Sequence, residues 1–195
     1  MKISKSLIGI IAAVVIIGGW AVTAYNSMVG EQEKATTAFA NVQSAYQRRA
    51  DLIPNLVETV KGYAAHEKET LEGVVNARSK ATQMTVDPEN LTPEKLQEYQ
   101  KAQGELGAAL GRLIAISESY PDLKANENFR DLQVQLEGTE NRINEARNTF
   151  NGVVQQYNVV IRSFPKNILA GMFGFAKMEK FEAEAGAEKA PQVKF

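Results

Sequence analysis

The stretch 129–164, FRDLQVQLEGTENRINEARNTFNGVVQQYNVVIRSF, places Phe129, Leu136, Ile143, Phe150, Tyr157 and Phe164 at intervals of seven. Leu132, Ala146, Val153 and Val160 each fall three residues after a member of that row. Two interleaved rows form one apolar stripe on a helix, and strict sevens over five repeats predict packing in an antiparallel bundle or coiled coil. Two amide rows flank the stripe: Asn144, Asn151 and Asn158, and Asn141, Asn148 and Gln155. The bland reading of these rows is a solvated polar face; because asparagine is a poor helix former, amides this regular also suggest interhelical hydrogen bonds or a polar contact surface. Pro165 stops the helix.

Upstream, the same periodicity runs from Glu31. Phe39, Tyr46, Ile53, Val60 and Val74 fall on multiples of seven, with Val42, Leu56, Tyr63 and Ala77 beside them. This predicts a helix over about 31–83, with a kink or break near 50–54 because Pro54 removes a hydrogen bond and clashes with the preceding turn. Asp87-Pro88-Glu89-Asn90 reads as a turn. Thr92-Pro93-Glu94 reads as a helix start: a capping hydroxyl, a proline at the first position and an acid near the positive helix end. The next stripe is Leu96, Tyr99, Leu106, Leu110 and Leu113. Gly104, Gly107 and Gly111 sit within that helix, each costing ~1 kcal/mol of propensity relative to alanine. Close approach of a neighbouring helix is the simplest offset. Tyr120-Pro121 ends the segment.

The N-terminus has a different character. Residues 6–30 carry no charge, and 7–22 is almost wholly Leu, Ile, Val, Ala and Gly. At ~1.5 Å per residue, a helix over 6–25 reaches about 30 Å, the thickness of a bilayer core. Trp20 and Tyr25 stand at its far end, where amphipathic rings favour the headgroup boundary. A cleaved signal peptide has a shorter apolar run, and Val22-Thr23-Ala24 is a mediocre cleavage site. The expectation is a retained single span. Lys2 and Lys5 precede it, while the first basic residue after it, Lys34, stands among acids, so the positive-inside rule puts residues 31–195 outside the cytoplasm. The domain reading is a flank 1–5, a transmembrane helix 6–28, a bundle 29–183 and a disordered tail 184–195. The apolar run 168–175 is too short to span. It is expected to cap the bundle, lie in the membrane interface or join subunits.

Several function classes drop out. The 195 residues include no cysteine and one histidine, which excludes thiolate chemistry and multi-histidine metal sites. Beyond residue 30, 20 basic and 23 acidic residues leave a net charge of −3, with no basic excess to hold nucleic acid. His66-Glu67 lacks the second histidine of a zinc helix, since position 70 is Thr. Ser27, Ser44, Ser79, Ser117 and Ser163 lie outside any Gly-x-Ser-x-Gly context. No catalytic residue, metal or cofactor is expected.

The best functional candidate is the segment containing Arg48, Arg49, Asp51, Pro54 and Asn55. Arg49 falls on the stripe, where its charge needs partners. Glu140 and Arg147 are seam-adjacent on the 129–164 helix. A buried Arg–carboxylate network fixing helix register is the structural reading; a site for an anionic ligand or partner is the sharper one.

These same residues carry a family resemblance. YQRRADLIPNLV at 46–57, YPDLKAN at 120–126 and EGTENRI at 137–143 resemble the signatures of the bacterial LemA family. Ala146-Arg147, Tyr157-Asn158, Phe164-Pro165 and the span ending in Tyr25-Asn26 fit in order. The resemblance implies an all-α protein, a transmembrane helix followed by an antiparallel bundle of three to four long helices, in a bacterial inner membrane, with no established enzymatic activity. The surplus amides, glycines and apolar run favour a homo-oligomeric scaffold. The alternatives are a membrane-shaping assembly and an enzyme with an unrecognised site.

Overall fold

The computed structural model describes residues 5–88 and 91–182, and all regular structure among them is helical. α1 (Lys5–Lys61), α2 (Lys68–Gln83), α3 (Pro93–Ile116) and α5 (Glu127–Arg162) are the long elements; α4 (Pro121–Ala125) and α6 (Lys166–Phe173) are short. The tail at 184–195 lies outside the described residues.

α1 and α5 form the antiparallel spine. Phe39 meets Phe150 with ring centroids 5.5 Å apart, Arg49 meets Glu140, and Asn126 Nδ2 donates to Tyr63 Oη. α2 turns back along α1, and α3 runs back along α2, completing four helices around Ile53, Leu56, Leu106, Leu113, Phe129 and Leu136. The stripe read from the 129–164 stretch is buried at Phe129, Leu136, Ile143, Phe150 and Tyr157. Phe164 departs from it: the helix ends at Arg162, and the ring is 81% exposed. The starts of α3 and α5 are capped by side chains, Thr92 accepting from Lys95 N and Asn126 accepting from Phe129 N.

Of the kink or break expected near Pro54, the break does not occur. α1 continues through it to Lys61, and the chain turns instead at 62–67 before α2. Proline leaves the carbonyl four residues back without its helical donor. Here that carbonyl, Ala50 O, accepts a 2.8 Å bond from Arg78 Nε of α2. The predicted single helix over 31–83 is therefore two helices in a hairpin, and Val74 reaches the core from the second of them.

At 57 residues, α1 is ~85 Å long. It is long and apolar enough to cross a membrane, and its N-terminal third is exposed: Ile10, Val14, Ile17 and Val22 are all above half accessibility. Burial begins at Ala24 and Met28.

α2 and α3 cover the spine from the end far from that apolar third to the level of Phe39, whose ring Tyr99 of α3 meets at 5.8 Å. Toward the near end, α6 and the extended segment 174–182 take their place. Gly174, in the left-handed region at φ 78°, ends α6, and both its N–H and that of Phe175 donate to Ala170 O. The chain then returns along α5. Phe181 enters the core between Phe39 and Phe150, at centroid distances of 6.2 and 5.4 Å.

Candidate functional site

Arg49 projects from α1 between α3 and α5. It is 4% exposed. Its Nη2 donates to Gln103 O (2.8 Å) and Gln103 Oε1 (2.9 Å), and its Nη1 donates to Glu140 Oε2 (3.1 Å). Its guanidinium also lies 5.1 Å from the Tyr46 ring centre, a cation–π distance. Nε is buried without a hydrogen-bond partner. Three helices thus meet at one side chain. Glu140 keeps about half of its side chain in solvent, so the pair is buried at one end only.

The other residues singled out from sequence scatter. Arg48, Pro54 and Asn55 are exposed on α1. Asp51, also exposed, accepts from Gln47 Nε2 at 2.7 Å. Arg147 does not join Arg49: its Nη2 donates to Glu182 O at 2.8 Å, and its guanidinium lies over the Phe181 ring. Gln103 and Arg78 were missed. The signal for Arg78 was indirect, the carbonyl that Pro54 leaves without a donor; Gln103 offered only a polar residue amid the α3 stripe.

Beside Arg49 opens a cavity of about 630 Å³, lined among others by Gly107, Leu110, Leu136, Glu137 and Glu140. Two carboxylates against one guanidinium make it a poor anion site. A Cβ added at Gly104 or Gly111 would meet nothing within 4 Å, and one at Gly107 would meet Arg49 Nη1 at 3.6 Å. The close helix approach expected of these glycines is therefore not made within the described chain.

The amide rows serve an unforeseen purpose. Asn158 Nδ2 donates to Met178 O and its Oδ1 accepts from Met178 N; Asn151 does the same to Phe181 O and N, all at 2.8–3.0 Å. Each side chain pairs both backbone groups of one residue, as a neighbouring strand would. Seven helical residues advance ~10.5 Å, and three extended residues about 10 Å, so asparagines seven apart read an antiparallel segment at every third residue. Tyr157 Oη donates to Ala176 O, and Gln155 Oε1 accepts from Lys180 Nζ. The expected bonds between helices are thus bonds from one helix to its own chain's returning strap. Asn144, the third member of the row, is exposed, as are Asn141 and Asn148.

Burial, with the charge of Tyr46 opposing a second anion, raises the Tyr99 hydroxyl well above the ordinary tyrosine range; burial also raises Tyr157. His66 is exposed, and no group of three or more His, Asp or Glu among the described residues is placed to hold a metal ion.

Comparison with known proteins locates the chain. It is 30% identical to the magnetosome protein MamQ of Magnetospirillum gryphiswaldense, over 83% of this chain and 66% of that protein. It is 26% identical to the magnetosome protein MamQ 1 of Paramagnetospirillum magneticum, over 84% and 66%. It is 25% identical to protein LemA of Metamycoplasma hominis, over 81% and 68%. The chain thus spans about two thirds of the length of these relatives. The model of the LemA family matches residues 38–195, and with the helical bundle and its apolar N-terminal helix in place, this chain belongs to the LemA family.

Proposed function

We propose that this protein is a membrane-tethered, non-enzymatic scaffold that self-assembles at the bacterial inner membrane. The observation that carries the reading is the continuity of α1. One helix supplies both the exposed apolar third and the long spine of the bundle, so the bundle is presented rigidly rather than on a loose linker. The polar groups that sequence offered as a binding site are instead engaged inside the chain, Arg49 with Gln103 and Glu140, Asn151 and Asn158 with the strap. That supports an architectural role for them over a catalytic one. Lys2 and Lys5 favour placing the bundle on the periplasmic side.

Self-assembly draws support from the glycine face of α3. Gly104 and Gly111 carry their propensity cost with nothing of the described chain within 4 Å of a Cβ placed there, next to an open cavity. A helix of a second copy would fill that face. Tethering in one bilayer raises the effective concentration for that contact.

Native mass spectrometry of the full chain released from nanodiscs tests this. A discrete oligomer in the wild type that Gly111→Leu converts to monomer supports the reading, because a Cβ at this position has open space around it among the described residues. A monomer at every concentration overturns self-assembly.

A further inference from the structure

The near end of the bundle carries an apolar surface that the core does not use. Phe164 is 81% exposed, Met172 73%, Phe173 56% and Ile168 55%. They gather on and beside α6, whose buried anchor is Ala170 in the cluster with Met28, Tyr157 and Ile161. Four large side chains so close together exceed what a water-facing surface of this size normally shows.

Their height along α1 is fixed by contacts. Tyr25 meets the rings of Phe173 and Phe175 edge-on at 5.0 and 5.6 Å, and Lys166 Nζ donates to Ser27 Oγ at 3.1 Å. α6 thus lies beside residues 25–28. Those residues follow the exposed apolar run by one turn and precede the first acid, Glu31. If residue 6 stands at one face of a bilayer core, residue 25 stands about 30 Å away, at the other.

Resting on the reading of α1 as a membrane span, we infer that α6 and Phe164 form a second membrane contact, a foot that enters the headgroup–acyl boundary of the leaflet from which the bundle emerges. The occupant is the phospholipid surface itself. Continuity with the span sets the depth: Trp20, Tyr25 and Phe173 form one aromatic band at the boundary. The charge around the foot fits. Arg162 closes α5 and Lys166 opens α6, so cations flank the apolar tip at phosphate level, while Lys177 beyond α6 pairs with Glu179. Two contacts, a span and a foot, fix the tilt of the bundle relative to the bilayer where a span alone would leave it free.

The test uses the full chain in phosphatidylcholine/phosphatidylglycerol vesicles whose acyl chains are brominated near the glycerol. Trp20 is the sole tryptophan. In a Trp20→Phe background, Phe164→Trp and, independently, Met172→Trp place the reporter on the foot; Val134→Trp places it on an exposed position of α5 distant from the foot. The foot reporters should lose most of their emission to bromine and be shielded from aqueous acrylamide. The Val134→Trp reporter should show the reverse. Foot reporters open to acrylamide and unquenched by bromine overturn the inference, as does shielding without bromine quenching, which identifies a protein covering. Trp20 of the unmodified chain separates the two readings. If it is quenched while the foot is not, the span stands and the foot falls; if neither is quenched, the span reading falls with it.

Discussion

Arg78 Nε and the backbone oxygen of Ala50 are 2.8 Å apart, and that bond stands where the N–H of residue 54 would have been in an unbroken helix. Pro54 has no such N–H, yet α1 runs through it. The charged donor from α2 satisfies the carbonyl and ties the two helices together. Arg78→Ala should cost about 1.5–3 kcal/mol, the range for a hydrogen bond to a charged group. In a Pro54→Ala background the carbonyl regains a helical donor, and the same Arg78→Ala change should cost markedly less. Urea unfolding of the four variants measures the coupling; strictly additive costs would refute the compensation.

This pair also marks where sequence reasoning stopped. The rule that proline breaks a helix identified the right missing bond but not the long-range group that supplies it. The sevens of α1 continued into α2 by coincidence of phase, with Val60 and Val74 in one row, so the turn at 62–67 was hidden although Gly62 stood there. The heptads of α5 were legible because a buried face is a local, periodic signal. Arg49 was legible as a charge on a stripe, and Glu140 as a carboxylate near it; Gln103 was not, since a neutral amide on a helix gives no sign of burial. The strap was the largest omission. Phe175, Met178 and Phe181 recur every three residues, an extended-chain spacing matched to the asparagine row, but the link between them becomes visible only once α5 is built.

The Arg49–Glu140 pair predicts an asymmetry. Glu140→Ala leaves a guanidinium that is 4% exposed hydrogen-bonded only to the neutral acceptors of Gln103, a loss of ~3 kcal/mol. Arg49→Met keeps much of the packing and leaves Glu140 to water, so it should cost roughly half as much. Thermal unfolding of both variants decides. If Arg49→Met is the more damaging, the charge is not the organising element and the Gln103 bonds are.

The asparagine row makes a prediction about the strap. Asn158→Asp keeps the acceptor for Met178 N but replaces the donor to Met178 O with a second acceptor; losing that bond and setting two acceptors face to face costs roughly 2 kcal/mol. The opening equilibrium of the strap should rise roughly 30-fold, seen as faster tryptic cleavage after Lys177 and Lys180 with helical circular dichroism unchanged. Asn144→Ala, on an exposed member of the same row, should leave cleavage at the wild-type rate. Equal acceleration by both would dissolve the ladder.

Phe150 tests the stripe against the row beside it. It is 1% exposed and touches both Phe39 and Phe181, so Phe150→Ala should destabilise by ~3–5 kcal/mol. Asn148→Ala, facing solvent two residues away, should lie within about 0.5 kcal/mol of wild type. Chemical denaturation of the two variants supplies the comparison.

Tyr99 gives the pH dependence. Burial raises its hydroxyl above the unfolded value of about 10, so below that value both states are protonated and the full contribution to stability is present. Above it, the unfolded chain loses its proton first while the folded chain holds on, and stability falls as pH rises. Tyr157, raised by its own burial, adds a smaller contribution of the same sign. Tyr99 packs against Phe39 and Tyr46 through its ring, which Phe also supplies, so Tyr99→Phe should retain most of the stability at neutral pH. It should also flatten the alkaline limb of a plot of unfolding free energy against pH, because one ionising group has been removed. A Tyr99→Phe variant that loses stability above pH ~10 as steeply as wild type would place the alkaline sensitivity elsewhere.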